Sequence, residues 1–443
     1  MSAMEPEALP NTPGPGPEPG PAPPSQFLLR GWNDPAVLGV ALVAVAVGFG
    51  QFGLTATLGN VARHFGHLVN GTSITDQAGL SGTQLGLGLA VIRLASLGGL
   101  PLAGLADRVG RRRVLLVACG LGLAATAASV AAPGYWWFVL VFALGRPFLS
   151  AASALAQVQA AELTSSAQRA SAVALVAAGY AVGAGVTAVV YGLAGNTLGY
   201  RGILLLAVVP LVALPFAARW VTEPDRFVRV AAIRQQRRPV LGAVARPYRA
   251  RLALVAALAF SLGVITGPAN TFVFLYAQNV AGFSGITRSA MVVGAGILGL
   301  GGLLAGRWLA DRVGRRPTAM AAMILIGAFG ILTYSGNHAA LVVGYVLGIG
   351  AGGIIAPCAG AFVNELFPTS VRASVAGWSV AGSVLGAVAG LLAFGAIADI
   401  AGHFAPAALV TFVPAMALSG LFLLLPETRG HEPEWFWPDE ITG

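Results

Sequence analysis

Twelve apolar stretches, at residues 35–57, 84–105, 114–132, 137–160, 171–194, 203–218, 252–276, 291–309, 319–334, 341–362, 375–397 and 407–425, divide the chain into segments nearly empty of charge. Each is close to the ~20 residues a helix needs to cross a hydrocarbon core of about 30 Å. Lipid offers the backbone no hydrogen bonds, so each segment must satisfy its own N–H and C=O groups. Segments of this length do so as helices, because barrel strands need only about 9–11 residues and alternate apolar with polar. Composition agrees: 56% of the 443 residues are hydrophobic and 10% are charged, against about 25% charged in an ordinary soluble domain. The expected fold class is an all-α membrane protein with twelve transmembrane helices, the first begun by an Asn33-Asp34 cap and Pro35.

The net charge of +9 comes entirely from Arg, since the chain has no Lys. Arg108, Arg111, Arg112 and Arg113 follow span two, a long cluster from Arg219 to Arg251 surrounds the link between spans six and seven, and Arg312, Arg315 and Arg316 follow span eight. These loops share one membrane face, which the positive-inside rule makes the cytoplasm, with both termini on it. Arg63, Arg201 and Arg288 are left for the outer face. The basic balance therefore reads as topology and an anionic inner leaflet, with no nucleic-acid partner. Residues 1–32 are Pro/Gly-rich and are expected to be a disordered cytoplasmic tail, not a signal peptide, with a second cytoplasmic tail at 428–443. Cys119 and Cys358 lie in apolar spans without ligand spacing, so neither a disulfide nor a metal is expected. The sequon Asn70-Gly71-Thr72 falls in the first outer loop but is too common a triplet to carry weight.

The octapeptide LADRVGRR occurs twice, at 105–112 and 309–316. A second pair keeps almost the same register: Glu162 and Arg169 stand seven apart after span four, and Glu365 and Arg372 seven apart after span ten. Two matches at nearly one offset make an internal repeat of six spans each. The halves are expected at 33–220 and 250–427, joined by an Arg-rich cytoplasmic linker at 221–249.

With these motifs the chain resembles the major facilitator superfamily over roughly 33–430. The Glu-x6-Arg pairs and the closing Pro426-Glu427-Thr428-Arg429-Gly430 resemble its sugar and metabolite porter branch, whose motif after span six is partly matched by Thr222-Glu223-Pro224-Asp225-Arg226-Phe227. The resemblance implies two pseudo-symmetric six-helix bundles rocking about a midplane site, in the manner of parallel-repeat carriers. Charged groups on the cytoplasmic edges would then form a gate that favours one state: Asp107, Arg108, Arg111, Glu162 and Arg169, with Asp311, Arg312, Arg315, Glu365 and Arg372. About 1.4 kcal/mol already changes a state ratio tenfold, so a small latch suffices.

Arg93 and Arg146 are the two basic residues deep within spans two and four. Arg93 lies fourteen residues before Asp107 and Arg146 sixteen before Glu162, so both sit about 20 Å above the cytoplasmic edge. An arginine at mid-membrane costs at least ~2.5–3.5 kcal/mol on insertion scales and is expected to face a cavity or a partner. Arg146, Ser150, Ser153 and Gln157 recur at helical spacing as one polar stripe. Gln51 and Thr55 in span one, Tyr180, Thr187 and Tyr191 in span five, Thr266 and Asn270 beside Gly267-Pro268 in span seven, and Trp378 in span eleven are further candidate lining residues.

No Asp, Glu or His is embedded deep in a span. Many proton-coupled members of the superfamily place an acid in span one opposite the span-four Arg; this chain has Gln51 or Thr55 there. Two guanidiniums without a counter-ion suit a visiting carboxylate or phosphate. The expectation is a secondary carrier of a small polar organic solute, preferably an anion, working as a monomer, with a proton as a co-transported partner and no cofactor. Multidrug efflux and neutral-sugar transport are the alternatives. A nucleotide loop, a grouped Ser/His/Asp set and metal-ligand spacing are all missing, so enzyme activity is not expected.

Overall fold

The computed structural model describes residues 29–67, 78–165, 168–224, 248–368 and 371–430. The tails at 1–28 and 431–443, the sequon at Asn70, and most of the linker, 225–247, lie outside the described residues.

Among the described residues, twelve helices are long and apolar enough to cross a membrane: α1 Pro35–Phe65, α2 Gly82–Val109, α3 Arg111–Ala131, α4 Tyr135–Leu163, α5 Ser171–Gly195, α6 Thr197–Ala218, α7 Arg249–Val280, α8 Gly285–Arg312, α9 Arg315–Thr333, α10 His338–Glu365, α11 Ser374–Ala401 and α12 Phe404–Leu424. They form two pseudo-symmetric six-helix bundles, α1–α6 and α7–α12.

Most helices outrun the apolar stretches, because a helix continues through polar residues until something satisfies its terminal N–H groups. Asp34 caps α1 by accepting from Ala36, Ser81 caps α2, Ser284 caps α8, and Asn337 caps α10 by accepting from Ala339 and Ala340. One consequence concerns the repeated motifs. Asp107 and Arg108 stand in the last turn of α2, Glu162 in that of α4, Asp311 and Arg312 in that of α8, and Glu365 ends α10. The charges are fixed on helix ends rather than carried by loops.

Each bundle is held by a close seam of glycine against backbone. In the first, a Cβ on Gly183 of α5 would lie 2.0 Å from the Val45 carbonyl of α1; in the second, a Cβ on Gly386 of α11 would lie 1.9 Å from the Phe260 carbonyl of α7. Only a residue without a side chain permits that approach. The first seam brings α5 against α1 and sets Tyr180 beside Gln51.

Candidate functional site

At the Arg-rich edge the octapeptide acts as a corner. Arg111 and Arg112 begin α3 immediately after Gly110, which turns the chain with φ at 113°. Glu223, past the end of α6, accepts from the Arg111 N–H at 2.6 Å and the Arg112 N–H at 3.1 Å. Glu427, past α12, accepts from the Arg315 N–H at 2.9 Å and the Arg316 N–H at 3.1 Å, again behind a glycine, Gly314, with φ at 123°. A carboxylate here satisfies orphan donors at the positive end of the helix. Glycine is needed both for the left-handed backbone and for space, since a Cβ on Gly314 would come within 2.7 Å of Glu427 Oε2. Burial pushes the Glu427 carboxyl up, but the N–H groups of Arg315, Arg429, Arg316 and Thr428 outweigh it and hold it below the ordinary glutamate value.

The side chains at this edge brace each bundle internally. Arg111, nearly buried, pairs with Asp107 at 3.2 Å and Glu162 at 2.7 Å, tying the ends of α2, α3 and α4 together. Arg315 repeats this more loosely with Asp311 at 3.5 Å and Glu365 at 3.3 Å. Arg169 donates to the Ala161 carbonyl and Arg372 to that of Phe367. Arg108 is exposed, and Arg312 lies over the Trp308 ring. Sequence reasoning missed the carboxylate caps, although Glu223 and Glu427 share the octapeptide's own offset, which was the signal available.

Between the bundles lies a cavity of about 240 Å³, lined by Gln51, Phe52, Leu54 and Thr55 of α1, Leu89, Ile92 and Arg93 of α2, Arg146 of α4, Tyr180 of α5, Thr266, Gly267, Asn270 and Thr271 of α7, and Leu391 of α11. Arg93, Arg146, Gln51, Tyr180 and Asn270 thus meet around one space. Tyr180 donates to Gln51 Oε1 at 3.3 Å, and Gln51 Nε2 donates to the Leu149 carbonyl at 3.0 Å, so the amide is fixed between α5 and α4. The Nε atoms of Arg93 and Arg146 are buried without a hydrogen-bond partner. The arrangement gathers guanidinium, amide and hydroxyl groups around one space with no carboxylate in its lining.

Ser150, Ser153, Gln157 and Trp378 do not line this cavity. The reason for Ser150 lies in α2, which breaks into a 3-10 turn at Ser96–Gly98 and crosses α4 just below Arg146. A Cβ on Gly98 would meet Pro147 at 3.2 Å, and one on Gly99 would meet Ser150 at 3.0 Å, so α2 covers the stripe there. Gln157 and Trp378 are exposed. Thr187 bonds the Phe49 carbonyl, and Tyr191 serves a different purpose.

That purpose is the far edge, where the bundles are joined. Arg288 of α8, only 5% exposed, donates to the Tyr191 hydroxyl of α5 at 3.1 Å and to Gln278 Oε1 of α7 at 2.7 Å. Gln278 also accepts from Tyr191 and donates to Asn60 of α1. Asn279 donates to the Gly59 carbonyl, and Arg63 to that of Gln278. At the α2–α11 contact the Asp399 carboxylate accepts from the Gly82 N–H at 2.6 Å and the Thr83 N–H at 2.7 Å. Apart from the Arg288–Gln278 bond, which lies within the second bundle, these bonds cross between the bundles on the side away from the arginine-rich edge.

Fold, repeat and cavity together define a two-bundle carrier scaffold. The chain belongs to the Major Facilitator Superfamily, whose sequence profile matches residues 40–309 and again 299–438. It is 28% identical over 371 residues to a probable 4-methylmuconolactone transporter of Cupriavidus pinatubonensis, covering 80% of this chain and 84% of that one. It is 29% identical over 347 residues to the 3-(3-hydroxy-phenyl)propionate transporter of Escherichia coli, covering 74% and 81%. In three dimensions it matches the crystal structure of a D-xylose-proton symporter with a TM-score of 0.68 at 18% identity, over 90% of this chain and 99% of that one.

Proposed function

We propose that this protein is a secondary active transporter that moves a small organic anion across the cytoplasmic membrane by alternating access. The observation that carries this reading is the pair of guanidiniums, Arg93 and Arg146, facing a shared cavity with buried Nε atoms unbonded and no carboxylate in the lining. Gln51, Tyr180 and Asn270 add neutral donors and acceptors that orient the solute's remaining polar groups. The relatives named as carriers of 4-methylmuconolactone and of 3-(3-hydroxy-phenyl)propionate support a carbonyl- or carboxylate-bearing cargo.

In this reading the Arg-rich edge is cytoplasmic, by the positive-inside rule, and the far-edge bonds close the outer side, leaving the protein inward-facing. Residues 33–220 and 250–427 are the moving bodies of a monomer, with Glu223 acting as part of the first, 221–249 the link, and the two tails cytoplasmic. The edge charges act as a gate where the two bundle edges approach each other. A co-transported proton has no acid in the cavity lining to bind; Glu162, Glu365, an outer His and the solute's own carboxylate are the candidates to carry it.

Proteoliposome uptake of a small carboxylate tests the site. Losing a charge-assisted pair of hydrogen bonds is worth about 3 kcal/mol, so Arg146→Ala is expected to cut uptake roughly 100-fold, with Arg146→Lys recovering part of it. Undiminished uptake by a well-folded Arg146→Ala protein would remove the assignment.

A further inference from the structure

A second cavity, of about 310 Å³, lies within the second bundle between α7, α8, α9 and α10. Nothing in the anion reading uses it. It meets the central cavity at Thr266 and Asn270, which line both. Rings run along the same junction: Phe52, on the central wall, meets Phe274 edge-on at 5.4 Å, and Phe274 meets Tyr345, on the wall of the second cavity, at 5.7 Å. No charged residue lines this space, and much of its wall is glycine. In the register that aligns Glu162 with Glu365, Arg146 corresponds to Ile349, which stands on that wall. One bundle presents a cation where its counterpart presents an apolar side chain.

We propose that this second cavity is the subsite for the apolar body of the solute. Resting on the anion reading above, it places the charged group on Arg93 and Arg146 and the hydrocarbon or ring among α7–α10, so that the solute spans the junction of the bundles. The glycines on the wall set the size of the body that fits. Burying an apolar group of side-chain size is worth roughly 10- to 100-fold in affinity. A short anion gains none of it, so the cavity separates carboxylates by their bodies and not by their charge.

Two wall positions allow the space to be filled without moving the backbone. A Cβ on Gly352 meets nothing within 4 Å, and one on Gly348 meets only Phe329 Cβ at 3.6 Å, an ordinary contact. Equilibrium binding of radiolabelled propionate and 3-phenylpropionate to the purified full-length protein is the test, with melting curves to confirm folding. Gly352→Leu and Gly348→Val are expected to weaken 3-phenylpropionate by about tenfold or more and to leave propionate unchanged, with Gly352→Ala falling between. Unchanged 3-phenylpropionate binding in the folded Leu and Val variants overturns the subsite, as does equal loss of both ligands. Arg146→Ala separates the two readings: loss of both ligands there keeps the anion site even when the subsite has failed. Retention of both at wild-type affinity shows instead that the anion site itself was wrong.

Discussion

The two edges of the molecule use polar groups in opposite ways. At the far edge the bonds run between bundles, through Gln278, Asn60, Tyr191 and Arg288 and through Asp399 on the start of α2. At the Arg-rich edge the pairs of Arg111 and Arg315 run within a bundle, and so do the caps of Glu223 and Glu427. The duplicated charges are first braces within each bundle. They tie helix ends together inside each bundle, while a different and unduplicated set of contacts joins the two bundles.

The largest expected effect lies at the far edge. Gln278→Leu removes the acceptor of a buried guanidinium, and an unsatisfied buried group costs about 1–3 kcal/mol, more when charged. That is enough to shift the ratio of states by about tenfold or more toward an open far side. Labelling of a cysteine placed at Thr55, on the cavity wall, by an impermeant maleimide added at the far side should rise accordingly; the native Cys119 and Cys358 are buried. No rise would show that the seal rests elsewhere.

The braces should respond in stability and not in accessibility. Arg111→Ala breaks a closer and more buried set than Arg315→Ala, the arginine side chains being 6% and 18% exposed. Breaking a fully buried pair costs about 3–5 kcal/mol; with Asp107 and Glu162 28% and 26% exposed and Asp311 62% exposed, roughly 2 kcal/mol is expected for Arg111 and below about 1 kcal/mol for Arg315. Denaturation of the two variants in detergent ranks them, and the reverse order would break the comparison.

The smallest effect belongs to a cap. Glu427→Gln should cost about 1 kcal/mol at neutral pH. The Glu427 carboxyl titrates below its unfolded value, so its contribution is complete above that value and is lost as pH falls through the lowered one. Melting temperatures of the wild type and Glu427→Gln should therefore converge on acidification; a constant gap would mean that the charge contributes nothing.

Twelve spans, the repeat and the two cavity arginines were legible because each leaves a local mark: a run of apolar residues, a duplicated string, a charge where lipid should be. Gln51, Tyr180 and Asn270 were legible for the same reason. Ser150 and Ser153 share the helical face of Arg146, yet periodicity along α4 carries no information about where α2 crosses it. The caps were hidden by distance, with 112 residues between Glu223 and Arg111 and the same between Glu427 and Arg315. The cavity in the second bundle was hidden by chemistry: it is made by side chains that are not there, and a glycine in a helix gives no sign of whether it admits a neighbour or leaves a space.

The late position of the two capping carboxylates bears on how the chain is assembled. A nascent chain that has reached α6 still carries bare N–H groups at Arg111 and Arg112, and only the arrival of Glu223 covers them. The same holds after α12 for Arg315 and Arg316, which wait for Glu427. Domains made in order tend to fold as units during translation. Here each unit takes its cap from the first residues beyond its last helix, so the carboxylate that caps the first bundle is synthesised before the second bundle begins.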